Sequence, residues 1–208
     1  MVGLAVIASP PAAAEEQLCG ANVQHAFSGV RTFSKDYSAT CQPGSACAVL
    51  THMMNEAAPL GFSHVFGFRR ETADSRWRAM LLDKMEHTNP TAGMVVRVDD
   101  GQPMNIPAAM ITSSEDGNVF TFDGQLTELI LTEAKPGNRL TVSYTSTAGE
   151  DLSASFSLIG LTDALEWSAC AQGELVSGKS DPAAKTEDDE EFSGPEPGVP
   201  ISPDDTKD

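Results

Sequence analysis

Positive charge is scarce in this chain: 13 Lys and Arg stand against 30 Asp and Glu, a net charge of −17 over 208 residues. Nucleic-acid binding is driven by Lys and Arg displacing counterions from phosphates, so this balance argues against a nucleic-acid partner. An electrostatic grip on anionic lipid is disfavoured for the same reason. Long apolar runs are lacking as well. The run Val2 to Ser9, ended by Pro10-Pro11, falls far short of the ~20 residues that span a bilayer, and no integral membrane segment is expected in the mature chain. No Cys-x-x-Cys, Gly-x-Ser-x-Gly, His-Glu-x-x-His or Gly-x-Gly-x-x-Gly occurs. The common signatures of thiol redox, serine hydrolase, zinc protease and dinucleotide chemistry are therefore missing.

What is present sorts into three parts. Ala12-Ala13-Ala14 before Glu15-Glu16 has the small residues that signal peptidase leaves behind. Residues 1–14 are expected to be a signal peptide, truncated at its start because the basic opening is missing. Residues 15–172 are expected to form one domain of ordinary size. Residues 173–208 read as a disordered acidic tail. From Glu174 onward there are 11 acidic and 3 basic residues, with the run Glu187-Asp188-Asp189-Glu190-Glu191 and five prolines. So few apolar side chains cannot offset the entropy of ordering the segment. The acidic run lacks the Asp/Asn and Gly spacing of a calcium-binding EF-hand.

The domain itself reads as β. Phe62, His64, Phe66 and Phe68 alternate with Ser63, Val65, Gly67 and Arg69, a period of two. Trp77 to Leu82, Met94 to Val98, Val119 to Phe122, Leu140 to Thr145 and Leu152 to Leu158 are further short β-rich runs, with turn signals such as Asp99-Asp100-Gly101 and Pro136-Gly137-Asn138 between several of them. Leu126, Leu129 and Ile130 suggest one helical face, and Thr162 or Asp163 could cap a second helical turn through Glu166. The expected fold is all-β: an antiparallel β-sandwich or barrel-like domain with one or two short helices.

Four cysteines, an even number, agree with export to an oxidising compartment. Pro43-Gly44 reverses the chain between Cys41 and Cys47 and should bring those thiols together, which leaves Cys19 and Cys170 to tie the two ends of the domain. Four cysteines allow three connectivities, and the other two stay open. A zinc site is the rival use, but the Cys and His spacing does not support one.

Candidate chemistry is thin. Gly173-Glu174-Leu175-Val176-Ser177-Gly178-Lys179-Ser180 matches the phosphate-binding loop letter for letter. That loop needs a buried strand before it and a helix after it, whereas here Pro182 and an acidic run follow. The histidines His25, His52, His64 and His87 are well separated. His64 shares a strand face with three phenylalanines and reads as a satisfied core histidine. His52-Met53-Met54 has donors suited to Cu(I), yet eight methionines spread over the chain are more simply core fillers. Asp99-Asp100 and Glu150-Asp151 fall at turns, where acids are common without catalysis. The residues assign no catalytic, cofactor-binding or metal-binding role.

Short motifs in a fixed order supply a resemblance. Asp36-Tyr37-Ser38-Ala39-Thr40-Cys41, Cys47-Ala48-Val49-Leu50, the stretch Asn89-Pro90 through Met94 to Gly101, and Ser157 to Leu165 together resemble the invasion-associated locus B family of secreted alphaproteobacterial proteins. The order holds over about residues 36–167. Three departures stand out: Tyr37 and Leu161 replace the family's tryptophan and phenylalanine, and its mid-chain cysteine pair is absent near Met110 to Gly117. The resemblance implies a periplasmic or secreted, non-enzymatic β-domain that binds a protein or cell-envelope partner. For some members of the family it implies a part in host-cell invasion. The competing expectation is an envelope enzyme or metal-binding protein whose site is assembled from distant residues.

Overall fold

A computed structural model of the chain describes residues 16–26, 29–43, 46–54, 61–85 and 88–177. The expected signal peptide, most of the acidic tail, Gly44 of the cysteine turn and His87 lie outside the described residues. Strands β1 (Gln17–Leu18) and β2 (Ala21–Asn22) form a small hairpin. Then come β3 (Gln24–Ala26), β4 (Gly29–Ser34), β5 (Tyr37–Cys41), β6 (Cys47–Met54), β7 (Phe62–Arg70) and β8 (Arg78–Asp83). Next are β9 (Met94–Val98), β10 (Met104–Ile106), β11 (Ile111–Ser113), β12 (Val119–Phe122) and helix α1 (Gly124–Ala134). Strands β13 (Arg139–Thr145) and β14 (Asp151–Ser157) and helix α2 (Leu161–Val176) complete the described chain.

Eight strands form one antiparallel sheet in the order β11-β12-β8-β7-β6-β5-β4-β3, and four form a second in the order β10-β9-β13-β14. The fold is the all-β sandwich type that the short alternating runs call for. The two sheets bury their facing side chains against each other. Phe66 on β7 meets Phe156 on β14 with ring centroids 5.5 Å apart, and Val96, Leu140, Val142 and Ala154 are fully buried in the same core. Gly67 lets β7 lie close against β6, because a Cβ there would lie 2.1 Å from the Val49 carbonyl oxygen.

The helices cover what the sheets leave open. Asp123 caps α1 by accepting the Gln125 N–H at 2.8 Å. Leu126, Thr127, Ile130, Leu131 and Ala134 form its buried stripe. Leu129 does not share that face; it is 60% exposed, because at ~3.6 residues per turn it falls outside the stripe. Helix α2 packs over β4, β5 and β6 and is longer than the single turn expected. Its N-cap is Gly160 at φ 94°, where a Cβ would meet the Ser34 carbonyl oxygen at 2.2 Å. Thr162 and Asp163 therefore lie inside the helix: the Thr162 hydroxyl donates to Lys135 O at 3.3 Å, and Asp163 accepts from the Ser34 hydroxyl at 3.5 Å. The helix continues past residue 172 to Val176, and Leu175 is buried in the core.

Two covalent ties close the fold. Cys19 and Cys170 are bonded across 151 residues, and Cys41 and Cys47 across 6. Cys41 and Cys47 sit opposite each other in the β5–β6 ladder and are fully buried. The long tie has a hydrogen-bonded neighbour, the Trp167 indole N–H donating to Leu18 O at 3.0 Å.

Candidate functional site

Among the described residues, the sandwich holds a buried cluster of catalytic residue types, and strand register creates it. Alternation turns His64 inward with Phe66 and Phe68, and the antiparallel pairing of β7 with β8 sets His64 opposite Asp83. Tyr144 reaches the same point from the other sheet, its hydroxyl 2.7 Å from His64 Nε2. The Ser63 hydroxyl lies 3.0 Å from Nδ1, and Asp83 Oδ1 lies 3.5 Å from Nε2. Asp83 also accepts the Met85 N–H at 2.8 Å, the Thr88 N–H at 2.9 Å and the Thr88 hydroxyl at 2.7 Å.

Two protonation equilibria shift in consequence. Burial would raise the Asp83 carboxyl, but hydrogen bonds from Thr88 and Met85, together with His64, outweigh it and hold the group below its ordinary range. Burial, with the Asp83 charge nearby, pushes the Tyr144 phenol up to about 12. Ser63, His64, Asp83, Thr88 and Tyr144 are all buried. Serine, histidine and aspartate in contact suggest nucleophilic catalysis, but a nucleophile must touch its substrate. Ser63 is only 1% exposed. The cluster's shape suits a clamp between the sheets, which the Thr88–Ser146 bridge extends.

The other expected candidates disperse. His52 is exposed and lies edge-on to Phe62 at 5.1 Å, and His25 contacts Glu16 at 2.7 Å. No group of three or more His, Cys, Asp or Glu among the described residues could hold a metal ion. Residues 173–176 of the phosphate-loop string belong to α2, so a helix stands where that motif needs a strand. Of its remaining residues, Ser177 caps the end of α2, and Gly178, Lys179 and Ser180 lie outside the described ones. Asp99, at φ 46°, uses its carboxylate to accept the Asn138 and Arg139 N–H groups at 2.9–3.2 Å, which is turn chemistry. Glu150 belongs to a turn organised by Ser146, whose hydroxyl oxygen accepts the Glu150 N–H at 3.0 Å.

A place where a partner could touch the domain is the outward face of the four-stranded sheet. Alternation along β9, β13 and β14 points Arg97, Arg139, Thr141, Ser155 and Ser157 away from the core. With Asp99, Asp100, Asn138 and Ile159 they line a cleft of about 690 Å³. A second groove runs between the β2 region and β4, walled by Phe33, which is 58% exposed. Sequence reasoning passed over both. Arg97 and Arg139 are 42 residues apart, and only the β9–β13 register brings them together.

Comparison with known protein families finds no match, and comparison with curated proteins finds none either. Among solved structures, the fold is similar to that of invasion associated protein B from Bartonella henselae, with a TM-score of 0.53 and 14% identity. The match covers 69% of this chain and 99% of the Bartonella one. The likeness is one of fold. Among the described residues no helix is long and apolar enough to cross a membrane.

Proposed function

We propose that this chain is an exported, non-enzymatic binding domain that works in the periplasm or outside the cell and holds a protein or cell-envelope component. The observation that carries the reading is the fold shared with invasion associated protein B over nearly that whole chain. Two disulfides support it, since such bonds persist in oxidising compartments. The sealed His64 cluster is in keeping with it: its polar groups satisfy one another. In this reading residues 1–14 are removed on export, and the acidic tail follows the domain as a solvated appendage.

The test has two arms. Protein purified from its native host should begin near Glu15 by mass spectrometry and fractionate with periplasmic or secreted material. Immobilised mature protein should then capture a defined component from envelope extracts. A full-length cytoplasmic species as the main product would remove the export reading, and turnover of an envelope substrate would remove the non-enzymatic one.

A further inference from the structure

We propose that the cleft on the outward face of the four-stranded sheet binds a sugar bearing a phosphate or carboxylate group, such as a unit of an anionic envelope glycan. The proposal rests on the exported-binding reading for the source of the ligand, and on geometry alone for its chemistry. Arg97 pairs with Thr141 across β9 and β13, and Thr141 pairs with Ser155 across β13 and β14. Arg139 stands two residues before Thr141 on the same face, opposite Ser157. Diagonal neighbours on adjacent strands have Cβ atoms within ~7–8 Å, a span that two arginine side chains can close around one oxyanion. Planar guanidinium groups suit that task because each offers paired donors to phosphate or carboxylate.

The electrostatics point the same way. In a chain with 30 acids and 13 bases, neither Arg97 nor Arg139 makes an ion pair among the described residues. Ion pairs do engage Arg69 and Arg78. The obvious partner, Asp99, is spent on the backbone N–H groups of Asn138 and Arg139. Physiological salt, with a Debye length of ~8 Å, screens the chain's distant negative charge, while Asp99 and Asp100 in the cleft itself offset part of the arginine charge, so an anion is held there by direct hydrogen bonds from the two guanidinium groups.

The rest of the cleft suits a polyol. Thr141 and Ser155 hydroxyls lie 3.0 Å apart. Ser157 accepts the Ile159 N–H at 3.2 Å, which leaves its own O–H to donate. Asp100 on the rim can accept from a sugar hydroxyl. Ile159, 46% exposed, offers an apolar edge to a ring's C–H groups. The volume, about 690 Å³, lies within the ~300–1,000 Å³ typical of small-molecule sites.

Titration of the purified full-length chain with glucose 1-phosphate, glucuronate and neutral glucose, followed by amide NMR at physiological salt, tests this. One or both anionic sugars should bind, with shifts centred on residues 97, 139–141 and 155–159, and the tighter of the two names the anion. Glucose should bind far more weakly. The R97Q/R139Q double variant should bind at least about tenfold more weakly with an unchanged melting curve, and R97K/R139K should keep part of the affinity because it keeps the charge. Absence of binding by both anionic sugars at millimolar concentration, equal binding by R97Q/R139Q, or equal binding of glucose would each overturn the site. None of those results touches the export arm above, and a cytoplasmic location would remove the glycan source while leaving the cleft's affinity measurable.

Discussion

Replacing Asp83 by alanine asks whether the sealed cluster is a clamp. The carboxylate accepts three hydrogen bonds at 2.7–2.9 Å, from Met85 N–H, Thr88 N–H and the Thr88 hydroxyl, and it stands 3.5 Å from His64. Hydrogen bonds to a charged group contribute about 1.5–3 kcal/mol each, but they are not additive, and the turn can relax towards water on the Met85 side. Removing one partner of a buried charged network costs about 3–5 kcal/mol, and that is the loss expected for Asp83→Ala. Asp83→Asn keeps an acceptor and should lose about 1–2 kcal/mol. Urea unfolding followed by tryptophan fluorescence reads both variants, since Trp77 and Trp167 sit on different parts of the fold. The pH axis adds a second reading. The native carboxyl titrates below its ordinary 3.8, so its contribution is complete above about pH 4 and fades as pH falls through the lower native value. Asp83→Ala should flatten that acid limb. A loss under about 1 kcal/mol with an unchanged urea slope and an unchanged acid limb would refute the clamp.

Tyr144, the end of α2 and the two disulfides set three further outcomes. Tyr144, ordinarily titrating at 10.0 and pushed up to about 12, contributes stability that is complete below about pH 10 and lost as pH rises towards 12; Tyr144→Phe should weaken that alkaline loss in pH-dependent melts. Truncation after Ser177 should leave the melting temperature within about 1–2 °C of the full chain. Truncation after Gln172, which removes buried Leu175, should lower it by about 4–8 °C. Serine replacement of Cys19 and Cys170, whose bond closes 151 residues, should cost ~4–5 kcal/mol, against ~2–3 kcal/mol for Cys41 and Cys47. Non-reducing peptide mapping checks the pairing directly, and a peptide joining Cys41 or Cys47 to Cys170 would contradict it.

Strands that alternate cleanly between turn signals were legible in the residues. Met94–Val98 and Val119–Phe122 occupy the places that their patterns indicate. Strand β4 was not legible, because its buried Thr32 is satisfied by a tertiary partner, Asn22 O at 2.9 Å. Most of α2 was hidden for a similar reason. Ser168 and Gln172 lie on its buried stripe, and the Ser168 hydroxyl satisfies itself on Ala164 O at 2.8 Å. These polar members break the apolar period that announces a helix. The His64 cluster and the arginine cleft needed information that no local pattern holds. His64 could be read as a core residue, but Asp83 and Tyr144 become its neighbours only once β7 is registered on β8 and the second sheet is laid across them.

The bond between Cys19 and Cys170 also determines how the domain meets mechanical force. Tension applied between the chain ends passes from the segment before Cys19 directly across the sulfurs to the last turns of α2. The two sheets and α1 lie on a closed covalent loop outside that path. Pulling can strip the end of α2, including Leu175, but cannot peel strands from either sheet while the bond is intact. An oxidised domain held at one end and dragged at the other thus keeps its outward face presented, and reduction alone would put the sandwich under load.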